Sequence, residues 1–209
     1  MKHLLIIGAG GFGREMFGAA REAVGFGTEF DIRGFLDARA GALEGFAGYP
    51  PVVGDPATYT PQADDVFITA LGDLAARRRC VAALEAKGAR FATVIHRSAF
   101  IGPNVVIGEG AFIAPHAVLT ADVRVGRHSC VFHGSSIGHD SSLADFTHVY
   151  AQCSLGGAVK VGAGARIFPG SVIVPRRTVG TDATVGAGSA VVLDVPAGTT
   201  VFGNPAAPI

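Results

Sequence analysis

His139 and Asp140 are adjacent in the chain, and Gly157 follows the histidine by eighteen residues. Imidazole changes charge near physiological pH, so a histidine suits the task of taking a proton from an attacking amine or hydroxyl. A carboxylate next door can fix the ring tautomer and stabilise the imidazolium that forms. A backbone N–H freed from a ladder, as the Gly156-Gly157 pair allows, can donate to a developing oxyanion and contribute about 3 kcal/mol in a transition state. Base, orienter and oxyanion donor are therefore all available, provided the fold brings residues eighteen apart together.

A repeat supplies that condition. Isoleucine, leucine or valine stands at every sixth position from Ile95 to Val191, seventeen times in succession. Four residues after each comes a small or β-branched residue, such as Ala99, Ala111, Ser129, Ser135, Cys153 or Ser189, with Arg177 the exception. A six-residue period fits neither a lone helix nor a lone strand, so it predicts a stack of units that bury their apolar edges against one another. Three segments making one coil of eighteen would place each aliphatic over the last and fill a prism, with parallel strands about 4.8 Å apart. Seventeen units give between five and six coils, and Gly157 then lies one strand spacing from His139. Arg177 is expected to point outward from a local bulge.

The first ninety residues lack the repeat. Leu4 to Ile7 reads as a buried strand, Gly8 to Gly13 as a turn and Arg14 to Val24 as a helix. Ile32 to Leu36 forms a second strand ending in Asp37; Val66 to Ala70 forms a third, followed by a helix from Asp73 to about Lys87 stopped by Gly88. This is a β-α-β unit with a parallel sheet, and it predicts domains at 1–92 and 93–209. Gly8, Gly10 and Gly13 satisfy G-x-G-x-x-G between strand and helix. Ninety residues are too few for both mononucleotide halves, so the motif implies something narrower: N–H groups at a helix start, unobstructed by side chains, facing a phosphate or ribose. A tight turn without a ligand is the alternative.

Composition excludes several classes. The chain has 209 residues, 49% hydrophobic, with formal net charge zero, and so no bias toward nucleic acid or anionic membrane. The apolar run Leu4 to Ile7 is too short for a signal or a span. Cys80, Cys130 and Cys153 are an odd number without metal-ligand spacing and read as reduced structural thiols. A soluble cytoplasmic protein is expected.

The seventeen matched units resemble the hexapeptide-repeat acyltransferases, which implies a left-handed parallel β-helix and a homotrimer. With the glycine turn in front, the whole chain, from Leu4-Leu5-Ile6-Ile7-Gly8-Ala9-Gly10-Gly11 to Gly203-Asn204-Pro205-Ala206, is similar to a narrower group. That group comprises bacterial sugar acyltransferases of the sialic acid O-acetyltransferase type and the N-acetyltransferases that modify nucleotide-linked amino sugars for bacillosamine or perosamine. The resemblance implies an α/β Rossmann-like domain that holds a nucleotide sugar at Gly10, Gly11, Phe12 and Asp37, joined to an all-β domain that holds acetyl-CoA. It gives His139 the role of general base, Asp140 its orienter and Gly157 the oxyanion donor. His148 corresponds to a second histidine near the acetyl group, and Pro169, Gly186, Ala187 and Gly188 match positions along the pantetheine and adenine track. Arg176 and Arg177 are candidates for the CoA phosphates or, equally, a solvated corner.

Two departures bear on the acceptor. Phe12 stands where the N-acetyltransferases usually carry a histidine, and Phe132 where they tend to have an asparagine. Transfer to the amino group of a nucleotide-linked amino-deoxysugar is the favoured expectation, with transfer to a sugar hydroxyl the alternative. A metal hydratase remains as a further class, because His128 and His133 have the five-residue spacing of the β-helix carbonic anhydrases. The third histidine of that set would fall at Ala92, and His96 is out of register. No metal is therefore expected; a silent binding module is the last alternative. Trimer formation is expected to hide an apolar face carrying Phe100, Phe112, Phe132 and Phe146.

Overall fold

The computed structural model describes residues 1–209, which divide into two compact units, Met1–Val94 and Ile95–Ile209. The first is a Rossmann-like α/β unit. Its strands β1 (Lys2–Ile7), β2 (Phe30–Leu36), β3 (Val52–Gly54) and β4 (Asp65–Thr69) form one parallel sheet in the order β3-β2-β1-β4. Leu4, Leu5, Ile6 and Ile7 are all fully buried, as a central parallel strand covered on both faces requires.

Helix α1 runs from Gly11 to Ala20, three residues earlier at its start and four shorter at its end than the sequence suggests. It starts early because Gly10, in extended conformation, caps it without a side chain. It stops early because Glu22 and Ala23 donate back to Ala19 and Ala20, a tightening into turn geometry. Helix α2 spans Leu74–Glu85 and is capped by Asp73, whose carboxylate accepts from Ala76 N–H at 2.6 Å.

The second unit is a left-handed parallel β-helix. Its seventeen two-residue strands run from Val94–Ile95 to Ala190–Val191, and each ends on one of the seventeen periodic aliphatics. Register is eighteen throughout, as in Ser136↔Ser154 and Ile137↔Leu155. From Ile113 to Val191 the aliphatic column is at most 3% exposed, whereas Ile101, near its start, is 37% exposed. Each fully buried member contributes about 1.5–3 kcal/mol of transfer free energy, which is why the period tolerates no omission.

The corners obey a rule the period does not reveal. Asn104, Asp122, Asp140, Ala158 and Arg176, eighteen apart, all sit in the left-handed region with φ between 57° and 63°. Asn and Asp adopt it most readily, and the Asn104 amide donates to Asp122 Oδ1 at 3.0 Å one coil on.

Two expectations about the faces are corrected. No bulge occurs at Arg177: Lys160↔Thr178 keeps the register, and the Arg177 guanidinium reaches Asp194 at 3.8 Å. Phe112 and Phe132 are buried, not presented on a flat face, and Phe146 is half-buried. Phe112 packs edge-on against Phe132; Phe132 stacks on His148, His148 on Tyr150 at 4.3 Å, and Tyr150 on Phe168 at 4.7 Å. Rings repeating every eighteen residues lie directly above one another, so Phe132, Tyr150 and Phe168 cover themselves.

The chain ends in a hairpin, Thr200–Gly203 with Ala206–Pro208, closed at a cis Asn204-Pro205 bond. No helix is long and apolar enough to cross a membrane.

Candidate active site

His139 and Gly157 occupy the same corner, after strands Ser136–Ile137 and Ser154–Leu155 of the six-stranded face. A Cβ added to Gly157 would stand 2.6 Å from His139 Nε2 and 2.7 Å from Cε1, so the imidazole lies over a spot that only glycine leaves open. His139 Nδ1 is 2.7 Å from Asp140 Oδ2. A carboxylate accepts, so in the neutral ring Nδ1 carries the proton and Nε2, the atom facing Gly157, has the lone pair. Asp140 holds its place through the left-handed corner and an N–H bond to Ala121 O at 3.1 Å. Both side chains are open to solvent, 69% and 62% exposed.

Around Gly157 three of four backbone groups are engaged. Gly156 N–H donates to Ile173 O, the Gly157 carbonyl accepts from Arg176 N–H, and the Gly156 carbonyl accepts from the Ser141 hydroxyl. The Gly157 N–H has no acceptor in the protein. A basic nitrogen and an unengaged N–H thus share one corner, an arrangement suited to removing a proton while stabilising an oxyanion.

The residues expected along the CoA track lie at the opposite edge of the same face. Pro169, Ala187 and Gly188 are exposed at the corner after strands Arg166–Ile167 and Thr184–Val185. Gly188 donates to Pro169 O at 2.9 Å, and a Cβ on Gly188 would meet nothing within 4 Å, leaving a smooth edge. Gly186 differs, because the Phe202 ring covers the space its Cβ would need. His148 is not brought to His139: it is 3% exposed, on another face, within the aromatic stack. His128, one of the pair with metal-like spacing, is buried and stacks on Phe146 at 5.0 Å.

In the α/β unit the glycine motif divides by task. Gly8, at φ +100°, makes the turn that other residues would resist. A Cβ on Gly13 would run into Gly8 O, so that glycine serves helix-to-strand packing. A Cβ on Gly10 or Gly11 would meet nothing within 4 Å, which leaves this N-terminus of α1 open to an approaching anion. Phe12, the next residue, is half-buried in the first turn of α1.

Asp37 buttresses this turn. Its Oδ2 accepts from Ala9 N–H at 2.9 Å and Arg39 Nη2 at 3.2 Å; its Oδ1 accepts from Arg39 N–H at 2.9 Å and Nε at 3.1 Å. Four bonds engage the carboxylate, three from the exposed Arg39 and one from the turn itself. Burial alone would push this carboxyl up, but the Arg39 guanidinium and the Ala9 and Arg39 N–H groups outweigh it and hold it below its ordinary value. The stabilisation is present at neutral pH and is lost only as pH falls through that depressed value.

Sequence reasoning missed Ser141, which the period marks only as one more small residue. The signal available was its place two residues beyond His139.

Residues 3–84 match the family PglD N-terminal domain, and residues 89–188 match the family GMPPB C-terminal domain. Among solved structures, the acetyltransferase domain of PglB from Neisseria gonorrhoeae is 30% identical, with TM-score 0.75 and both chains covered in full. A histidine-to-asparagine variant of perosamine N-acetyltransferase from Caulobacter crescentus, in complex with CoA and GDP-perosamine, is 26% identical with TM-score 0.88, covering 100% of this chain and 97% of that one. An acyl-[acyl-carrier-protein]--UDP-N-acetylglucosamine O-acyltransferase of Stutzerimonas stutzeri is 34% identical over 86 residues, 41% of this chain and 33% of that protein. The chain spans about a third of the length of the curated relatives it matches. With a PglD-type domain in front, a left-handed hexapeptide helix behind and full-length likeness to such acetyltransferases, the chain belongs to the hexapeptide-repeat sugar acyltransferases of the sialic acid O-acetyltransferase and bacillosamine- or perosamine-type N-acetyltransferase family.

Proposed function

We propose that this protein transfers the acetyl group of acetyl-CoA to the amino group of a nucleotide-linked amino-deoxysugar. The observation that carries the reading is His139 Nε2 poised over Gly157, with Nδ1 held by Asp140. His139 Nε2 takes the proton of the acceptor amine as its nitrogen attacks the thioester carbonyl. The Gly157 N–H donates to the oxygen on which negative charge gathers, and Asp140 stabilises the imidazolium. As the C–S bond breaks, His139 returns the proton to the departing thiolate, so the products are amide and free thiol. The exposed edge at Pro169, Ala187 and Gly188 suits a thin pantetheine arm. The open N-terminus of α1 at Gly10 and Gly11 suits the phosphates of the sugar nucleotide. Thiol release from acetyl-CoA that depends on an added nucleotide-linked amino sugar tests this reading; release with no dependence on any such acceptor contradicts it.

The glycine turn offers a sharper check. Gly11→Val should raise KM for the sugar about tenfold or more and leave CoA affinity alone, since the added side chain meets only what approaches from outside. Asp37→Ala should act in the same direction by loosening the turn. Equal weakening of CoA would assign this unit to the cofactor instead.

A cytoplasmic homotrimer completes the proposal. Phe100 and Val172 lie exposed on the six-stranded face, and Val192 and Leu193, the latter 71% exposed, follow its last strand. An apolar face bounded by both functional edges is what a closed assembly would cover. Sedimentation should give three copies; a stable monomer with full CoA affinity would refute the trimer.

A further inference from the structure

The peptide plane between Gly156 and Gly157 is fixed from several sides. A Cβ on Gly138 would stand 2.6 Å from Gly157 N, and one on Gly156 would stand 2.7 Å from the Pro175 ring, so the coils before and after press closely on it. Its carbonyl end is held by Ser141, whose Oγ donates to Gly156 O at 3.1 Å. Ser141 is fully buried, and the same oxygen accepts from Val159 N–H at 3.1 Å. One of its two lone pairs is engaged by Val159 N–H, and its proton is directed to the Gly156 carbonyl. The other end of that plane is the Gly157 N–H.

We propose that Ser141 is a positioning residue for the oxyanion donor: by anchoring the Gly156 carbonyl it sets the tilt of the peptide and hence the aim of the Gly157 N–H beside His139. This rests on the acetyl-transfer reading above. An oxyanion donor is effective because it is aimed before reaction begins, and supporting hydrogen bonds are what keep such an aim.

The repeat contains its own control. Ser129 makes the same pair of bonds elsewhere, donating to Ala144 O at 2.9 Å and accepting from Thr147 N–H at 3.1 Å, with no reactive peptide at the far end. The same small position also accommodates other side chains. Thr147 Oγ1 donates to Gly162 O at 3.3 Å, and Cys153 Sγ lies 3.2 Å from Phe168 O.

The test compares Ser141→Ala, Ser141→Cys, Ser141→Thr and Ser129→Ala by kcat, both KM values and Tm. Both Ser141→Ala and Ser129→Ala should lower Tm, the first more, because it strands Val159 N–H and the Gly156 carbonyl, whereas after Ser129→Ala the Ala144 carbonyl keeps the Thr147 hydroxyl at 2.6 Å and Thr147 N–H keeps Ala144 O at 3.4 Å. Ser141→Ala should lower kcat about 10- to 100-fold with both KM values within about twofold. Ser129→Ala should keep kcat within about twofold, and Ser141→Thr should restore it to within about threefold. Cysteine, a weak donor, should fall between Thr and Ala. The proposal is overturned if Ser141→Ala loses no more kcat than Ser129→Ala, or if its loss lies in KM. Should Ser141→Ala fail to fold, Ser141→Cys decides, and unchanged kcat there overturns the proposal. Turnover by the unmutated protein with a flat Ser141 series removes this inference alone; no turnover by the unmutated protein removes the acetyl-transfer reading and this inference together.

Discussion

His139→Ala is expected to lower kcat by about 10²–10⁴ while leaving assembly, CoA affinity and Tm unchanged. The separation follows from position. The ring stands outside the aliphatic column, mostly in solvent, so its removal opens no cavity. The reaction, by contrast, loses the basic nitrogen that faces Gly157. Because only neutral imidazole can do so, kcat/KM should fall toward low pH along a limb that the variant lacks. Asp140→Asn should lose less, since asparagine keeps the left-handed corner and a hydrogen bond to Nδ1 but not the charge that steadies the imidazolium. Stopped-flow thiol release across pH measures both. Near-normal turnover by His139→Ala with the native acceptor would place the base elsewhere.

Gly157→Ala is expected to lower kcat by about 10²–10³ through a single methyl group. The backbone there is not in the left-handed region, so alanine imposes no strain on folding. The methyl would, however, occupy the place of the His139 imidazole, 2.6 Å from Nε2. An exposed ring can swing aside at little cost in stability, but it then leaves the corner it shares with Gly157. A protein with native Tm and both KM values near normal should result, its deficit confined to kcat. Unchanged kcat would mean that the ring and the glycine do not act together.

The solenoid was legible because its physics is local and repeated: an aliphatic must fill the prism once per strand, as the fourteen from Ile113 to Val191 do. The adjacency of His139 and Gly157 was legible for the same reason, since a period of eighteen converts spacing directly into neighbourhood. What the period could not carry is the chemistry between coils. Phe112 and Phe132 read as surface until the eighteen-residue stacking of Phe132, Tyr150 and Phe168 is seen to cover them. His148, matched to the acetyl site by resemblance, is drawn into that same stack. Asp37 reads as a sugar contact because strand-end acids in such units often are; its bonds to Ala9 and Arg39 come from loop geometry that no periodicity carries. The ends of α1 depend on a glycine cap and on turn bonds at Glu22 and Ala23, neither of which alters the apolar pattern.

The most direct measurement of the central claim is the identity of the product. The protein, acetyl-CoA and a panel of nucleotide-linked amino-deoxysugars, with their hydroxyl counterparts, would be incubated and the sugar nucleotides resolved by mass and by stability to mild hydroxylamine. The account predicts one acetyl group gained on the amino sugar, as a hydroxylamine-stable amide, in step with thiol release and abolished by His139→Ala. An acetyl group found as a labile ester on a hydroxyl, or formed equally by His139→Ala, would contradict it.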